Sequence, residues 1–599
     1  MDWLATDPLA DELDQLGAAS GSHDEHTGPA LPLWPPGYYL DERGLWYRAG
    51  EDAAPVQLSG PFTVLGLARD LSGDGWAIAL EWRDPDGVVH QHYLPRADLI
   101  GDRNDGLKPL LSGGLELAPQ SDRLKRFRQA LLGLECGRRL RLVKRSGWHG
   151  TVFVLPHGTL GHTEGEWIVY DGSSDAARYA QAGTLEEWIA CVAAPAAGNS
   201  RLVFALSTAF AGPLADLLGD EGGGVHLVGG SSLGKSTALF VAGSVWGGGG
   251  RGGFTQTWRA TGNALEAIAR AHSGTLLALD ELGELDAKEA GGMAYLLVNG
   301  QGKGRGTRDG GAKERAEWRV MLLSTGEIGL ADKIAETGRR AKAGQLVRLV
   351  DVPADAGKGQ GLFEDTKGHS PADFSRKVLV PAALRVYGTP GPVFVEMLAN
   401  DPDAVARFAR ERIGAVQRAL LDGTGETSGQ VHRVAHRFAL IATAGELARV
   451  ALGLPWAEDE AERAAAICFE AWRSTIGGEG PRELVAAVEA IRAAVEKHGE
   501  SRFRTLQDAS GLAVPSSPYP MRDLLGYRFH REGEWLWGFT ATGWREVLAG
   551  VAEPRSVVAM LADRGALYTG GADRANRYAV KVDGQTVWVH AVKASALAD

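Results

Sequence analysis

Apolar runs of strand length alternate with helical periodicity through the middle of the chain. From about residue 185 a helical pattern leads to the apolar run Val225–Val228, and two further runs follow at Thr275–Leu279 and Trp318–Leu323. Strands and helical patterns keep alternating up to about residue 352. This alternation predicts an α/β domain built on a mostly parallel sheet.

The pattern before residue 185 is mainly that of short strands. Asp84–Gly87 has the composition of a tight hairpin turn between two of them, and residues 121–135 have helical spacing. We therefore predict a β-rich region with one helix. Its strand-like runs are Leu45–Arg48, Trp76–Trp82, Val88–His90, Arg139–Lys144, Val152–Leu155 and Trp167–Tyr170.

The two ends of the chain differ from its middle. Residues 1–30 hold seven acids and no Lys or Arg, which predicts a flexible tail, or alternatively a short amphipathic helix that docks on a partner. Residues 370–480 are Ala-rich and helical, and the helices and strand pairs after them suit a winged-helix-like module. The expected organisation is multidomain: 1–30 (acidic tail), 31–184 (β-rich N-terminal region with a basic patch), 185–370 (α/β core), 371–480 (helical region) and 481–599 (winged-helix-like C-terminal domain).

Composition limits the classes of protein to consider. Hydrophobic residues make up 44% and charged residues 23%, which is typical of a soluble globular protein. The net charge of −12 means that any contact with nucleic acid must come from local basic surfaces. The N-terminus lacks signal-peptide features, and the most apolar stretch, Leu202–Leu218, is interrupted by Gly212, Pro213 and Asp216. We expect a buried helix there, no membrane contact and a cytoplasmic location.

A phosphate-binding motif follows the first apolar run. Gly229 to Ser236 matches G-x-x-x-x-G-K-[ST] without a mismatch, between a strand pattern and a helix pattern. Glycines let backbone N–H groups turn towards phosphates, and the helix N-terminus adds its positive dipole end. Lys235 should reach the β- and γ-phosphates and Ser236 should bind Mg²⁺. The predicted nucleotide-binding residues are Gly229, Gly230, Ser231, Ser232, Leu233, Gly234, Lys235, Ser236 and Thr237.

Two acids end the second apolar run. Asp280 is placed to hold Mg²⁺, directly or through water, and Glu281 to polarise an attacking water as general base. About 45 residues separate Lys235 from Asp280, which leaves room for a helix, a strand and a second helix. The paired acids favour hydrolysis of ATP over phosphate transfer to a small molecule.

Polar residues after the third run are candidates for holding the lytic water. Ser324 and Thr325 follow Trp318–Leu323, and the sequence does not choose between them. Three arginines further on could act on the nucleotide of a neighbouring subunit, where they would stabilise charge on the γ-phosphate. Arg348, which should begin the next strand, is the first candidate, and Arg339 and Arg340 are the alternatives.

Two local basic segments could contact nucleic acid. Residues 299–315 hold five basic and two acidic residues with six glycines, and we interpret them as a DNA-contacting hairpin rather than a surface loop. Lys303, Arg305 and Arg308 would grip the phosphate backbone. Residues 123–145 carry nine basic residues against one acid, and a phosphate-binding patch and a solvated helix face are both open interpretations.

Several ordered motifs resemble one family. Gly229–Thr237, Ser244–Gly247, Thr257–Glu266, Leu279–Leu282, Leu323–Glu327 and Gly344–Arg348 are similar to an uncharacterised helicase-like ATPase family of prophages and genomic islands, which itself looks like the MCM-like Cch replication helicases of staphylococcal cassettes. Pro35–Tyr38 and Ser146–His149 resemble its N-terminal region, so the likeness covers roughly residues 35–590. One position departs from the pattern, because MCM-type sensors usually carry Asn where this chain has Ser324 and Thr325.

The resemblance implies a hexameric AAA+ P-loop ATPase with nucleotide at subunit boundaries and a C-terminal winged helix. Such a protein would use ATP and Mg²⁺, bind single-stranded or forked DNA and serve replication of a mobile genetic element. Its acidic N-terminal tail would be the contact for a replication partner. Two other functions stay open: an ATP-dependent switch or defence ATPase without unwinding activity, and a scaffold that only binds nucleotide.

Overall fold

The computed structural model shows a multidomain mixed α/β protein with several sheets and many helices. It describes residues 32–597 apart from 101–104, 164, 173–177, 303–304, 307–311, 314–315, 340, 423–427, 476–481, 508–522, 550–553, 564 and 569–575. The predicted acidic tail, residues 1–30, lies outside the described residues. Two compact units divide the described residues, one ending at Phe469 and one beginning at Glu470. The finer five-part division stays a prediction.

Strands dominate the part before residue 185. They are β1 (Tyr38–Asp41), β2 (Gly44–Tyr47), β3 (Val56–Gln57), β4 (Thr63–Asp70), β5 (Ala77–Arg83), β6 (Val89–Pro95), β7 (Arg139–Val143), β8 (Gly147–His149), β9 (Val152–Leu155), β10 (Gly158–Leu160) and β11 (Trp167–Tyr170). They form sheets in the orders β1-β2-β3, β10-β9-β8 and β11-β7-β4-β5-β6. The predicted turn joins β5 to β6 as an antiparallel pair, with Arg83 opposite Val89.

One helix of this part buries its apolar side. Ser121–Leu132 places Phe127, Ala130 and Leu131 in the core beneath β4 and β5. It ends three residues before the predicted boundary, because Gly133 follows and disfavours continuation of a helix. The other helical segments of this part are Arg96–Leu99, Asp105–Leu107 and Lys108–Ser112, and the segments that follow it are Leu185–Trp188, Ile189–Ala193 and Ala194–Ala196.

The middle of the chain forms one parallel five-stranded sheet. Its strands are β12 (Gly223–Val228), β13 (Gln256–Thr257), β14 (Leu276–Asp280), β17 (Met321–Gly326) and β18 (Leu349–Pro353), in the order β13-β14-β17-β12-β18. A separate antiparallel pair, β15 (Arg305–Gly306) with β16 (Ala312–Lys313), precedes β17. The helical segments are Ser200–Leu218, Lys235–Gly243, Gly262–Ala271, Leu282–Glu284, Ala287–Asn299, Leu330–Ala335 and Ala343–Leu346.

The helix Ser200–Leu218 lies inside the protein, as predicted. Among the described helices it alone is long and apolar enough to cross a membrane, and nearly all of its residues are buried. Phe204 packs on Phe438 of a later helix, with ring centroids 4.8 Å apart. A Cβ on Gly212 would lie 2.6 Å from the backbone of Thr275, so this helix approaches the start of β14 closely.

The part after β18 is helical up to the end of the first unit. Its segments are Pro371–Asp373, Phe374–Leu379, Val380–Arg385, Pro390–Asn400, Pro402–Leu421, Gly429–Leu452 and Glu460–Thr475, the last of which crosses the division between the units. This agrees with the helical pattern of residues 370–480. The long helix Gly429–Leu452 is buried along most of its length against Ser200–Leu218.

The second unit holds a larger sheet than the strand pairs seen in the sequence. β19 (Phe503–Thr505), β20 (Gly526–Arg531), β21 (Glu534–Thr540), β22 (Tyr578–Val582) and β23 (Gln585–Lys593) pair in the order β19-β20-β21-β23-β22. The helical segments are Arg482–His498, Ala541–Val547, Pro554–Asp563 and Ala594–Ala596. The winged-helix-like assignment stays a prediction.

Candidate functional site

The predicted phosphate loop, paired acids and sensor residues meet at one edge of the parallel sheet. β17 lies between β12 and β14, with Leu227 beside Thr325 and Leu279 beside Ser324. Because all three strands are parallel, the residues at their carboxyl ends lie together. The sequence motifs, which are far apart along the chain, therefore form one site.

The phosphate loop has the backbone that the motif requires. Gly229 and Gly234 have φ angles of 156° and 97°, which favour glycine, and the helix Lys235–Gly243 begins at once after Gly234. Ser232 also has a positive φ of 66° without being glycine. A non-glycine residue in this region costs free energy, so the surrounding structure must hold the loop in this shape.

Lys235 lies inside the loop. Its ammonium donates to the carbonyl oxygens of Gly229 at 2.7 Å and Gly230 at 2.6 Å, and the residue is buried. The positive charge is therefore held at the centre of the loop, within the curve where phosphate oxygens are expected to lie. Thr237, which follows the motif directly, shares a hydrogen bond of 2.7 Å with the hydroxyl of Ser375.

Asp280 is the centre of the hydrogen-bonding network. Its Oδ1 accepts from the Ser236 hydroxyl at 3.2 Å and from the Thr325 hydroxyl. Its Oδ2 accepts from the guanidinium of Arg251, from Nη2 at 2.8 Å and Nε at 3.1 Å. The sequence predicted Ser236 beside Asp280 but missed Arg251. The one signal for it is a lone cation within an otherwise all-glycine segment, residues 247–253.

Glu281 follows at the exposed side of this network. It is half-buried, with a φ of 61°, and its backbone N–H donates to the Thr325 hydroxyl at 3.3 Å. Burial and the negative charges of Asp280 and Glu327 raise the pKa of Glu281, and the charge of Lys235 partly opposes them. A carboxylate with a raised pKa is a stronger base, which suits a group that accepts a proton from water.

The structure separates the two sensor candidates. Thr325 contacts Asp280, whereas Ser324 accepts from the indole N–H of Trp258 at 2.8 Å and lies 2.9 Å from Nδ1 of His226 on the other face of the sheet. Both residues lie inside β17 rather than after its end. The strand starts at Met321 because the N–H groups of Trp318 and Arg319 donate to Gly300 and Ser273 instead.

Arg348, the first candidate arginine, lies away from the phosphate loop of its own chain. Arg348 immediately precedes β18 rather than beginning it. It therefore lies at the amino ends of the parallel strands, whereas Lys235 lies beyond the carboxyl end of β12. Its guanidinium is 4.4 Å from the ring centre of Tyr295 and donates to Gly344 at 3.1 Å and to Asn299 at 3.5 Å. Arg339 is exposed, and Arg340 lies outside the described residues.

The first basic segment contains a hairpin. Arg305 pairs with Lys313 and Gly306 with Ala312 in antiparallel register, and a bridge between Gln301 and Glu317 lies at the base. Lys303 and Arg308 lie outside the described residues, and the side chain of Arg305 is not described. Their contacts with nucleic acid stay a prediction.

The second basic segment is not a free patch, because many of its arginines have partners within the protein. Arg126 stacks over Tyr47, and Arg138 over Trp167. Arg141 pairs with Glu166 at 2.6 Å, and Arg145 pairs with Asp216 at 3.1 Å. These partners come from elements distant in sequence, so the linear charge count overstated the cationic surface.

The donor set fits a nucleotide with Mg²⁺. Among the described residues, no cluster of three or more His, Cys, Asp or Glu could hold a metal by itself. Ser236 and Asp280 offer two oxygen ligands close together, and Mg²⁺ in nucleotide sites takes its remaining ligands from phosphates and water. The phosphate loop lies directly beside them and would hold the nucleotide, whose phosphates provide further ligands.

Comparisons with known proteins agree with this architecture. A family model described as a domain of unknown function (DUF927) matches residues 38–317. A solved structure described as an SCCmec type IV Cch, an active helicase, is similar at a TM-score of 0.68 and 19% sequence identity, over 94% of this chain and 99% of that chain. The chain is thus similar to that helicase in its fold. Among curated proteins, none matches the chain significantly.

Proposed function

We propose that this protein is an ATP-hydrolysing AAA+ ring motor that translocates on DNA, the replicative helicase of a mobile genetic element. One observation carries the proposal: Lys235, Ser236, Asp280, Glu281 and Thr325 converge from three parallel strands at one sheet edge. An ATPase needs a phosphate loop, a metal ligand and a general base at such an edge, and this chain offers all three there.

Each residue has a distinct part in hydrolysis. Lys235 transfers its hydrogen bonds from the loop carbonyls to phosphate oxygens when nucleotide enters. Ser236 and Asp280 would hold Mg²⁺, which would neutralise charge on the phosphates. Glu281 accepts the proton of the attacking water, and Thr325 keeps Asp280 and the backbone of Glu281 in register.

The wider features of the proposal have separate support. The similar solved structure is described as that of an active helicase, which favours a motor on DNA over other ATPases. The position of the β15–β16 hairpin just before the sensor strand suits an element that moves with ATP state along single-stranded or forked DNA. We extend the proposal to a cytoplasmic hexamer with a winged-helix-like C-terminal domain and a partner for the acidic tail.

ATP hydrolysis with and without single-stranded DNA tests the proposal. We expect DNA to stimulate turnover in the wild-type protein, and Glu281→Gln to lower turnover by at least about 100-fold while ATP binding persists, because a lost general base typically costs 10²–10⁴ in rate. Glu289→Gln, at an exposed acid on the next helix, is the matched control and should keep full activity. Unwinding of a forked duplex then identifies a helicase.

Other outcomes point elsewhere. Turnover that ignores DNA and leaves forks intact would favour the ATP-dependent switch or defence ATPase. Absence of turnover with any nucleic acid, with nucleotide still bound, would leave only the scaffold.

A further inference from the structure

The ion pair between Arg251 and Asp280 is the feature of the site that hydrolysis does not require. The side chain of Asp280 is 1% exposed and that of Arg251 is 64% exposed. A buried carboxylate without a counter-charge is costly. The ammonium of Lys235 donates to loop carbonyls in this structure. The cation that pairs with the Asp280 carboxylate is therefore Arg251.

The two hydrogen bonds of Arg251 both reach Oδ2 of Asp280. Oδ1 accepts from Ser236 and Thr325. The guanidinium thus lies on the same carboxylate that Ser236 would share with a divalent cation. Besides Asp280, the carboxylates of Glu284 and Glu281 interact favourably with its charge. A cation at this position faces three carboxylates.

Arg251 lies in a tight turn of the backbone, and most of its side chain is exposed. Gly253 donates to the Gly250 carbonyl at 2.9 Å, and Gly252 has a φ of 86°, which makes Arg251 the second residue of a tight turn. Arg178 binds the Gly252 carbonyl at 2.7 Å. The turn is held by its backbone, whereas the side chain that reaches Asp280 is 64% exposed.

We propose that Arg251 is the resident counter-ion of Asp280 in the nucleotide-free protein and yields this carboxylate to Mg²⁺ when the metal arrives with nucleotide. The inference rests on the proposed function, because it assumes that Ser236 and Asp280 form the metal site. Arg251 and Mg²⁺ then compete for Asp280, and the apparent affinity for Mg²⁺·nucleotide contains the work of displacing the guanidinium.

The expected change in Mg²⁺·nucleotide affinity follows from what the loss of Arg251 does to the nucleotide-free protein. Removing Arg251 leaves Asp280 without its counter-ion when no metal is bound, which raises the free energy of that state. The metal-bound state, in which Arg251 has already left, is unchanged. The difference between the two states therefore grows, and Mg²⁺·nucleotide binds more tightly.

The test is equilibrium binding of a fluorescent ADP analogue to the full-length protein, with Mg²⁺ and separately with EDTA. For Arg251→Ala we expect about three- to tenfold tighter binding with Mg²⁺ and little change in EDTA. The melting temperature of the nucleotide-free variant should fall, and that of its Mg²⁺·ADP complex should equal the wild type. Arg251→Lys should give a smaller shift, and Arg259→Ala, at an exposed arginine nearby, none.

Three results would overturn the inference. Unchanged or weaker Mg²⁺·ADP binding in Arg251→Ala would exclude competition with the metal. Equal destabilisation of the free and bound forms would make the ion pair merely structural. If the wild-type protein binds no ADP under any condition, the nucleotide site itself is wrong, and that result is distinguishable because it appears before any variant is compared.

Discussion

At the scale of single residues, two adjacent positions in β17 have unrelated surroundings. Strand geometry points successive side chains to opposite faces, so Ser324 and Thr325 cannot contact the same groups. Thr325 forms hydrogen bonds with Asp280 and with the backbone of Glu281, whereas Ser324 forms them with Trp258 and His226. Thr325 is therefore the candidate for the water-positioning role, and Ser324 belongs to the buried support of the sheet.

Matched substitutions separate these roles. Thr325→Val keeps the shape of the side chain but removes its hydroxyl, and we expect ATP turnover per folded molecule to fall by about tenfold or more. Stability should fall by about 1–3 kcal/mol as well, because the buried Asp280 carboxylate loses a donor. Ser324→Ala leaves the Trp258 N–H buried without its acceptor, and we expect about 1–3 kcal/mol lower stability with turnover per folded molecule retained. Steady-state hydrolysis and urea unfolding measure the two effects. The reverse pattern would assign the site to Ser324.

A buried histidine makes stability depend on pH. His272 is fully buried between Tyr179 and Phe254, and its Nδ1 lies 2.8 Å from the Ile268 carbonyl. Its Nε2 has no hydrogen-bond partner among the residues that the structure describes. Burial lowers the pKa of His272 to about 4. Because the unfolded chain binds a proton at a higher pH than the folded chain does, stability should fall as the pH drops below about 6.5 towards 4.

Urea unfolding of the wild type and His272→Asn checks this dependence. Between pH 6.5 and 5.5 the wild type should lose about 1 kcal/mol more stability than the variant, which has no imidazole to protonate. Equal losses in the two proteins would mean that His272 is protonated in the folded state.

At the scale of elements, one helix connects the candidate trans arginine with the basic hairpin. Ala287–Asn299 ends where the hairpin segment begins, and Tyr295 and Asn299 on it contact Arg348. Arg437, on the helix Gly429–Leu452, donates to the carbonyls of Val347 and Arg348. A movement of Arg348 would therefore disturb contacts with the helix that leads to the hairpin and with the helical region.

The hairpin prediction concerns affinity for DNA. Replacing Lys303, Arg305 and Arg308 with Ala should weaken single-stranded DNA binding and lower its log–log salt slope by about 2, since each lost phosphate contact removes roughly 0.7. Hydrolysis without DNA should persist, because none of the three belongs to the proposed hydrolytic set of Lys235, Ser236, Asp280 and Glu281. Fluorescence anisotropy across salt concentrations measures the slope, with the exposed Arg407→Ala as control. An unchanged slope would leave the segment as a surface loop.

At the scale of the whole molecule, the sheet places Lys235 and Arg348 at opposite ends of its parallel strands. A single chain cannot bring both to one nucleotide, so Arg348 can act on ATP only from a neighbouring subunit. A head-to-tail ring supplies that arrangement at every boundary.

Mixed assemblies test the ring. Lys235→Ala and Arg348→Ala should each be inactive alone, and an equimolar mixture should regain about a quarter of the wild-type turnover, because about one boundary in four then joins an intact Lys235 to an intact Arg348. Hydrolysis after co-refolding or subunit exchange measures this. Recovery with Arg339→Ala but not with Arg348→Ala would assign the role to Arg339 and leave Arg348 as a link to the hairpin.

The sequence alone located the short segments that form the candidate site. The phosphate motif, the acids ending β14 and the alternation of apolar runs depend on local spacing, and local spacing is what sets backbone conformation and strand pattern. The bounds of β7, β9, β11 and β14 followed within two residues for the same reason.

Only the tertiary structure decided which side chains meet. The separation of Ser324 from Thr325, the pairing of Arg251 with Asp280 and the internal partners of residues 123–145 all depend on strand order and on contacts between distant segments. Charge and polarity along a chain do not reveal whether a group faces solvent or a partner, because burial and pairing are properties of the packed molecule.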